Sequence, residues 1–189
     1  MRRAACTSDA QAERGLLHFK HDAIFAPPQL SPNLSPNLSP NFSLAQLIHS
    51  DTANQHGLSN QPLATHLPNL KRLAARLESV QRRLGHPLII TSAYRSPEVN
   101  RLVGGVPRSR HALGLAADIA CPTFGAPIEV ARALAASRIA FDQVILEYGR
   151  WVHFGLAPAG ETPRRQLLTI RSGKEGYLDG LLETGAPAG

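Results

Sequence analysis

Three side chains of this sequence stand out as a reactive set: His111 and Asp118, in Ser109-Arg110-His111-Ala112-Leu113-Gly114-Leu115-Ala116-Ala117-Asp118, and His153, in Trp151-Val152-His153. Two imidazoles and one carboxylate make a ligand set for zinc. A catalytic zinc keeps three protein ligands and leaves its fourth position to water, which this trio allows. His111 and Asp118 bracket a short loop, whereas His153 lies far along the chain. A bracketed loop with one distant anchor builds a pocket.

Such a pocket needs elements that hold its ligands. Ser43 with Gln46 three residues later reads as a capping box that opens a short helix. Leu67, Leu70, Leu73, Leu77, Val80 and Leu84 recur at steps of three and four, predicting a helix over 67–84. Its Lys71, Arg72, Arg76, Arg82 and Arg83 fall mostly outside the stripe and read as a solvated face. Leu88-Ile89-Ile90-Thr91 reads as a strand, Ser96-Pro97 as the cap and first residue of a short helix, and Gly104-Gly105 as its end. Ala116 to Ala120 forms a second strand and Pro127 to Arg138 a helix. Gln143 to Glu147 and Trp151 to Leu156 form a hairpin, and Gln166 to Ile170 an edge strand. The fold class is therefore α+β, a small antiparallel sheet flanked by helices.

The hairpin decides where Glu147 points. Side chains alternate along a strand, and opposed residues across a hairpin share a face. With Tyr148-Gly149-Arg150 as a three-residue loop, Glu147 opposes Trp151 and shares the face of His153. A two-residue loop would put it opposite Val152, on the other face. Gly149 supplies the positive φ that three-residue loops use, which favours the first arrangement.

Length and composition set the bounds. The 189 residues suit one domain with a substantial core, and 43% apolar content suits a folded protein with no run long enough to span a bilayer. Membrane insertion is not expected. The start Met1-Arg2-Arg3-Ala4-Ala5-Cys6 is basic but lacks the apolar stretch of a secretory signal, so the protein is expected to stay in the cytoplasm until released. Cys6 and Cys121 lie far apart, and Cys121 reads as a small buried hydrophobe. The net charge of +6 implies attraction to anionic polymers, either nucleic acid or the phosphate-rich bacterial wall. No recognition helix or basic stripe interleaved with aromatics favours nucleic acid.

Residues 1–41 differ from the rest. Ser31-Pro32-Asn33-Leu34, Ser35-Pro36-Asn37-Leu38 and Ser39-Pro40-Asn41-Phe42 repeat a tetrapeptide whose prolines oppose both helix and sheet, so this stretch reads as a disordered extension. The ordered domain is expected over 42–181, with a flexible tail at 182–189. The sequence leaves the oligomeric state open, with a monomer expected.

The motifs resemble the M15 peptidases, the zinc D-Ala-D-Ala carboxypeptidases and related peptidoglycan peptidases. The resemblance rests on Ser109-Arg110-His111, Gly114 and Ala116-Ala117-Asp118, on Trp151-Val152-His153, and on Ile89-Ile90-Thr91-Ser92-Ala93-Tyr94-Arg95-Ser96, in the family's order. It covers about Phe42 to Leu181. It implies a hedgehog/DD-peptidase-like fold, Zn2+ held by His111, Asp118 and His153, and peptidoglycan peptides as the partner. It also implies that Arg95 binds substrate or steadies an oxyanion, as a planar fork of donors suits. The plainer reading of Arg95 is a surface arginine paired with Glu98. Ser109 has two readings as well: contact with substrate, or a loop hydroxyl bonded to its own backbone.

The reaction these features imply is metal-assisted amide hydrolysis, with a carboxylate that moves a proton from water to the leaving amine. Glu147 is the candidate, and Asp142, expected to face the other way, the substitute. The best-known family members carry the acid three positions before the second histidine, where this chain has Arg150. Three functional classes remain open: a peptidase trimming terminal D-Ala or cutting the stem as a phage-type lysis enzyme, a zinc-bearing wall-binding module without turnover, and a basic protein that binds polymers by charge. The remaining histidines, His18, His21, His49, His56, His66 and His86, have no partner spacing.

Overall fold

Short helices form where a side chain caps them. Ser43 and Gln46 make the reciprocal capping box that opens α1 (Leu44–Ile48), and Ser50 caps α2 (Asp51–His56). The computed structural model describes residues 37–183. The first two tetrapeptides up to Pro36, Cys6, His18, His21 and the tail from residue 184 lie outside the described residues. The third tetrapeptide is tied to the domain rather than loose. Leu38 and Ser39 donate backbone N–H to Phe42, and Ser39 and Asn41 donate to the Glu78 carboxylate at 2.7–2.8 Å. Burial pushes the Glu78 carboxyl up, but the bonds from Asn41 and Ser39 outweigh it and hold it below its ordinary value.

The apolar stripe folds as α3 (Leu67–Leu84), and its Leu70, Leu73, Leu77 and Val80 are fully buried. Each such side chain stabilises the fold by about 2 kcal/mol. Gly85 ends the helix in the left-handed region at φ 70°. Then come β1 (Ile89–Ser92), α4 (Pro97–Leu102), β2 (Ala116–Ala120), α5 (Pro127–Ala135), β3 (Gln143–Glu147), β4 (Trp151–Gly155), β5 (Gln166–Ile170) and β6 (Leu178–Asp179). α5 stops three residues short of the expected Arg138. Ser137 bonds the Leu134 carbonyl, and the Arg165 guanidinium takes the carbonyls of Ala135, Ser137 and Ile139, so that backbone leaves the helix.

The strands form one sheet in the order β1-β2-β4-β3-β5-β6. Four of its pairings are antiparallel, as expected for the α+β class. β5 departs from expectation. It pairs parallel to β3 and lies inside the sheet, with β6 as the outer strand. The chain leaves β4 and loops back through residues 156–165 before entering β5, and a connection of that kind sets β5 running the same way as β3.

Alternation divides the sheet into two faces. Ala117, Ile119, Val144, Val152 and Phe154 point to one face and join Leu70, Leu73, Leu77, Val130 and Leu134 in the core against α3 and α5. Asp118, His153, Ile145 and Glu147 therefore point to the other. Cys121 is a buried free thiol that donates to the Pro87 carbonyl.

Candidate metal centre

β2 lies between β1 and β4, where Ala116 and Ala117 are fully buried. Small residues let the strand sit there while Asp118, the next residue, turns its carboxylate to the front face. Asp118 pairs with His153 of β4 directly across the ladder, which fixes the second and third ligands side by side. His111 arrives by a separate route, on a 3₁₀ turn over His111–Leu113. Gly114 closes that turn at φ 68°, and a Cβ there would stand 3.0 Å from Leu70 Cγ, so glycine serves both the turn and the packing.

The three side chains meet. His111 Nε2 lies 3.1 Å from Asp118 Oδ1 and 3.0 Å from His153 Nδ1, and His153 Nδ1 lies 3.0 Å from the same Oδ1. All three residues are buried. Hydrogen bonding decides what the convergence means. The His111 Nδ1–H donates to the Ala93 carbonyl at 2.6 Å, so the Nε2 of the neutral ring carries a lone pair. Burial pushes the His111 pKa down, which keeps the ring neutral. With Nδ1 of His153 also unprotonated, three acceptor atoms face one another at about 3 Å, and a cation between them satisfies all three. Zinc with bonds of about 2.1 Å at tetrahedral angles sets its ligand atoms roughly 3.4 Å apart, a few tenths of an ångström from the arrangement here. The donor set fits the ion.

The surrounding contacts aim the ligands. Arg95 Nη2 donates to Asp118 Oδ2 at 2.7 Å and its Nε to Ser92 Oγ at 3.0 Å. Asp118 thus turns a single oxygen toward the imidazoles. Arg95 pairs with Asp118, not with Glu98, and its side chain is 16% exposed. Ser109 Oγ accepts the His111 N–H at 3.3 Å, a bond within its own loop that leaves the hydroxyl proton free to donate. Gly155 leaves room beside His153, where an added Cβ would come 3.3 Å from Nε2.

Glu147 stands on the ligand face. It pairs with Trp151 across the three-residue loop, and Trp151 Nε1 donates to its Oε2 at 3.1 Å. Tyr148 and Gly149 both adopt positive φ, 54° and 66°, so the turn asks for a left-handed tyrosine as well as the expected glycine. Burial raises the Glu147 pKa and the Asp118 charge adds to it, while His153, the Trp151 N–H and Arg95 pull the other way. Asp142 is occupied elsewhere. Its buried carboxylate takes Arg164 at 2.6 and 3.0 Å and Arg110 at 3.3 Å.

A family model described as Peptidase M15 matches residues 40–155, the span that carries His111, Asp118, His153 and Glu147. The chain belongs to the peptidase M15 family. No curated relative matches it. The matched span of this M15 peptidase ends at Gly155, so β5 and β6 lie beyond it. Among the described residues, no helix is long and apolar enough to cross a membrane.

Sequence reasoning missed the groups that orient His111, Asp118 and Glu147 in this M15 peptidase. The Ala93 carbonyl leaves no mark in a sequence. The Ser92 hydroxyl sits beside a register shift between Ile90 and Ser92 that only the folded ladder reveals. The Trp151 N–H was within reach, since the hairpin that aims Glu147 at His153 also sets Trp151 opposite it.

Proposed function

We propose that the chain is a zinc-dependent peptidase that hydrolyses amide bonds in bacterial peptidoglycan stem peptides, as a D-Ala-D-Ala carboxypeptidase or a phage-type endopeptidase that waits in the cytoplasm until released to the wall. The observation that carries the reading is the convergence of His111 Nε2, Asp118 Oδ1 and His153 Nδ1 within 3.1 Å, with Glu147 on the same sheet face.

Zinc held by these three residues would polarise the scissile carbonyl and make a water more acidic. Glu147, as carboxylate, takes the proton from the attacking water and delivers it to the leaving amine. Trp151 holds one carboxylate oxygen and leaves the other free for that transfer. Arg95 is first a positioning residue for Asp118. Its Nη1 has no partner among the described residues and is the donor left for a substrate carboxylate or a developing oxyanion. Ser109 supports His111 through that backbone bond, and its hydroxyl proton is the donor it has left for substrate.

A second reading is a zinc-bearing wall-binding module without turnover, suggested by Arg150 three positions before His153. Glu147 on the ligand face argues against it, because a carboxylate is still present beside the metal ligands. Hydrolysis of purified peptidoglycan, with the released fragments weighed by mass spectrometry, separates the two. Activity that disappears with a chelator and in His111→Ala supports the peptidase. Zinc bound without any released fragment would establish the binding module, and activity surviving in His111→Ala would remove the metal mechanism.

A further inference from the structure

α3 carries five basic residues, Lys71, Arg72, Arg76, Arg82 and Arg83, against one acid, Glu78. Glu78 is committed to Ser39 and Asn41. The C-terminal half of this helix meets the loop after α5 in an open groove of about 680 Å³ lined by Arg76, Arg82, Arg83 and Arg138. All four arginines are exposed, and among the described residues none of them pairs with a carboxylate. The groove lies on the helical side of the sheet, opposite the face that carries Asp118, His153 and Glu147. A ligand seated there would leave the metal centre open.

The wall of the groove is held in place. Arg165, with its guanidinium 4.4 Å from the centre of the Phe141 ring, donates to the carbonyls of Ala135, Ser137 and Ile139, the loop that presents Arg138. Four arginines lining one groove add their fields, and the sum attracts an anion. The rest of the lining is Ser79, Ala136, Ser137 and Ile139. It offers no aromatic surface on which a nucleic-acid base could stack, and no exposed large apolar side chain to enter a bilayer. The groove reads charge and little else, which suits a polymer of phosphodiesters joined by small polyols.

We propose that this groove is a docking site for a phosphodiester-linked polyol polymer of the bacterial wall, which holds the enzyme at its substrate while the opposite face works. The choice of a wall polymer rests on the peptidase reading above; the anion site itself does not.

The test measures binding of the full chain to poly(glycerol phosphate), with single-stranded DNA, phosphatidylglycerol vesicles and uncharged dextran as comparison probes. Cleavage of a short soluble stem peptide is assayed in parallel. The wild type should bind poly(glycerol phosphate) most tightly and dextran not at all. With four phosphate contacts its affinity should fall roughly 50-fold between ~50 and ~200 mM salt. The triple variant Arg76→Ala, Arg83→Ala, Arg138→Ala should lose at least about tenfold with peptide cleavage unchanged, and the corresponding triple lysine variant should recover most of the binding. Arg138→Ala alone, on a loop pinned by Arg165, should show a smaller loss in the same direction. A triple alanine variant that binds like the wild type overturns the proposal, as does tighter binding of DNA or of vesicles than of poly(glycerol phosphate). A wild type that binds the polymer but cleaves no stem peptide would overturn the peptidase reading and leave the groove standing.

Discussion

Arg95 and Asp118 are joined at 2.7 Å through Nη2 and Oδ2, and that bond decides which carboxylate oxygen faces the imidazoles. Ser92 fixes the other end of the guanidinium, so the ligand is held by a chain of two hydrogen bonds that starts at the end of β1. Partners that orient a ligand typically change metal affinity by about 10- to 100-fold. Arg95→Ala should therefore weaken zinc binding by about that factor, read by competition with a chromophoric chelator, with the circular dichroism spectrum unchanged. Full zinc affinity with a slower kcat would move Arg95 to direct substrate contact.

Glu147→Gln should retain zinc and lose about 10²- to 10⁴-fold in kcat on a stem peptide. An unchanged rate would assign the proton transfer to another group.

The same carboxyl has a raised pKa, chiefly from burial. A base works deprotonated, so activity should climb as pH rises through a value above the ordinary carboxylate range. The Trp151 N–H favours the charged form, and Trp151→Phe removes it. The acidic limb of the kcat/KM profile should then move to higher pH. A limb that stays in place in Trp151→Phe would show that the profile reports some other group.

Asp142 should govern stability in acid. Its folded pKa is lowered, first by hydrogen bonds from Arg164, so the stabilisation is present above the unfolded value of about 4 and is lost as pH falls through the folded one. Asp142→Asn should cost about 3 kcal/mol near neutrality, the low end for a broken buried pair because the Arg164 side chain is 52% exposed. The difference from wild type should shrink toward low pH. Urea unfolding at several pH values measures both, and a pH-independent difference would mean the loss comes from packing.

Gly155→Ala places a methyl 3.3 Å from His153 Nε2, tighter than ordinary contact. The ring must give by a few tenths of an ångström, so zinc affinity should fall while the backbone, which needs no positive φ at this position, tolerates the change. Unaltered affinity would show that the ring has room to move.

Much of this protein is decided locally, and local features are legible in a chain of letters. The periodicity from about Leu67 to Leu84 specifies α3, because a helix repeats on its own neighbours. The three residues between Glu147 and Trp151 specify the face of Glu147, because strand alternation leaves only two choices. Ligand chemistry likewise singles out His111, Asp118 and His153 before any fold is known. Contacts between distant segments are what the sequence withheld. The parallel seat of β5 depends on the path of residues 156–165 over the sheet, and Glu78 finds Ser39 and Asn41 only once the third tetrapeptide lies against α3. That His111 presents Nε2, and that Asp118 presents one oxygen, follows from the Ala93 carbonyl and the Arg95 guanidinium. A hydrogen bond acts over about 3 Å of space whatever the separation along the chain, so these partners exist only after the sheet has closed.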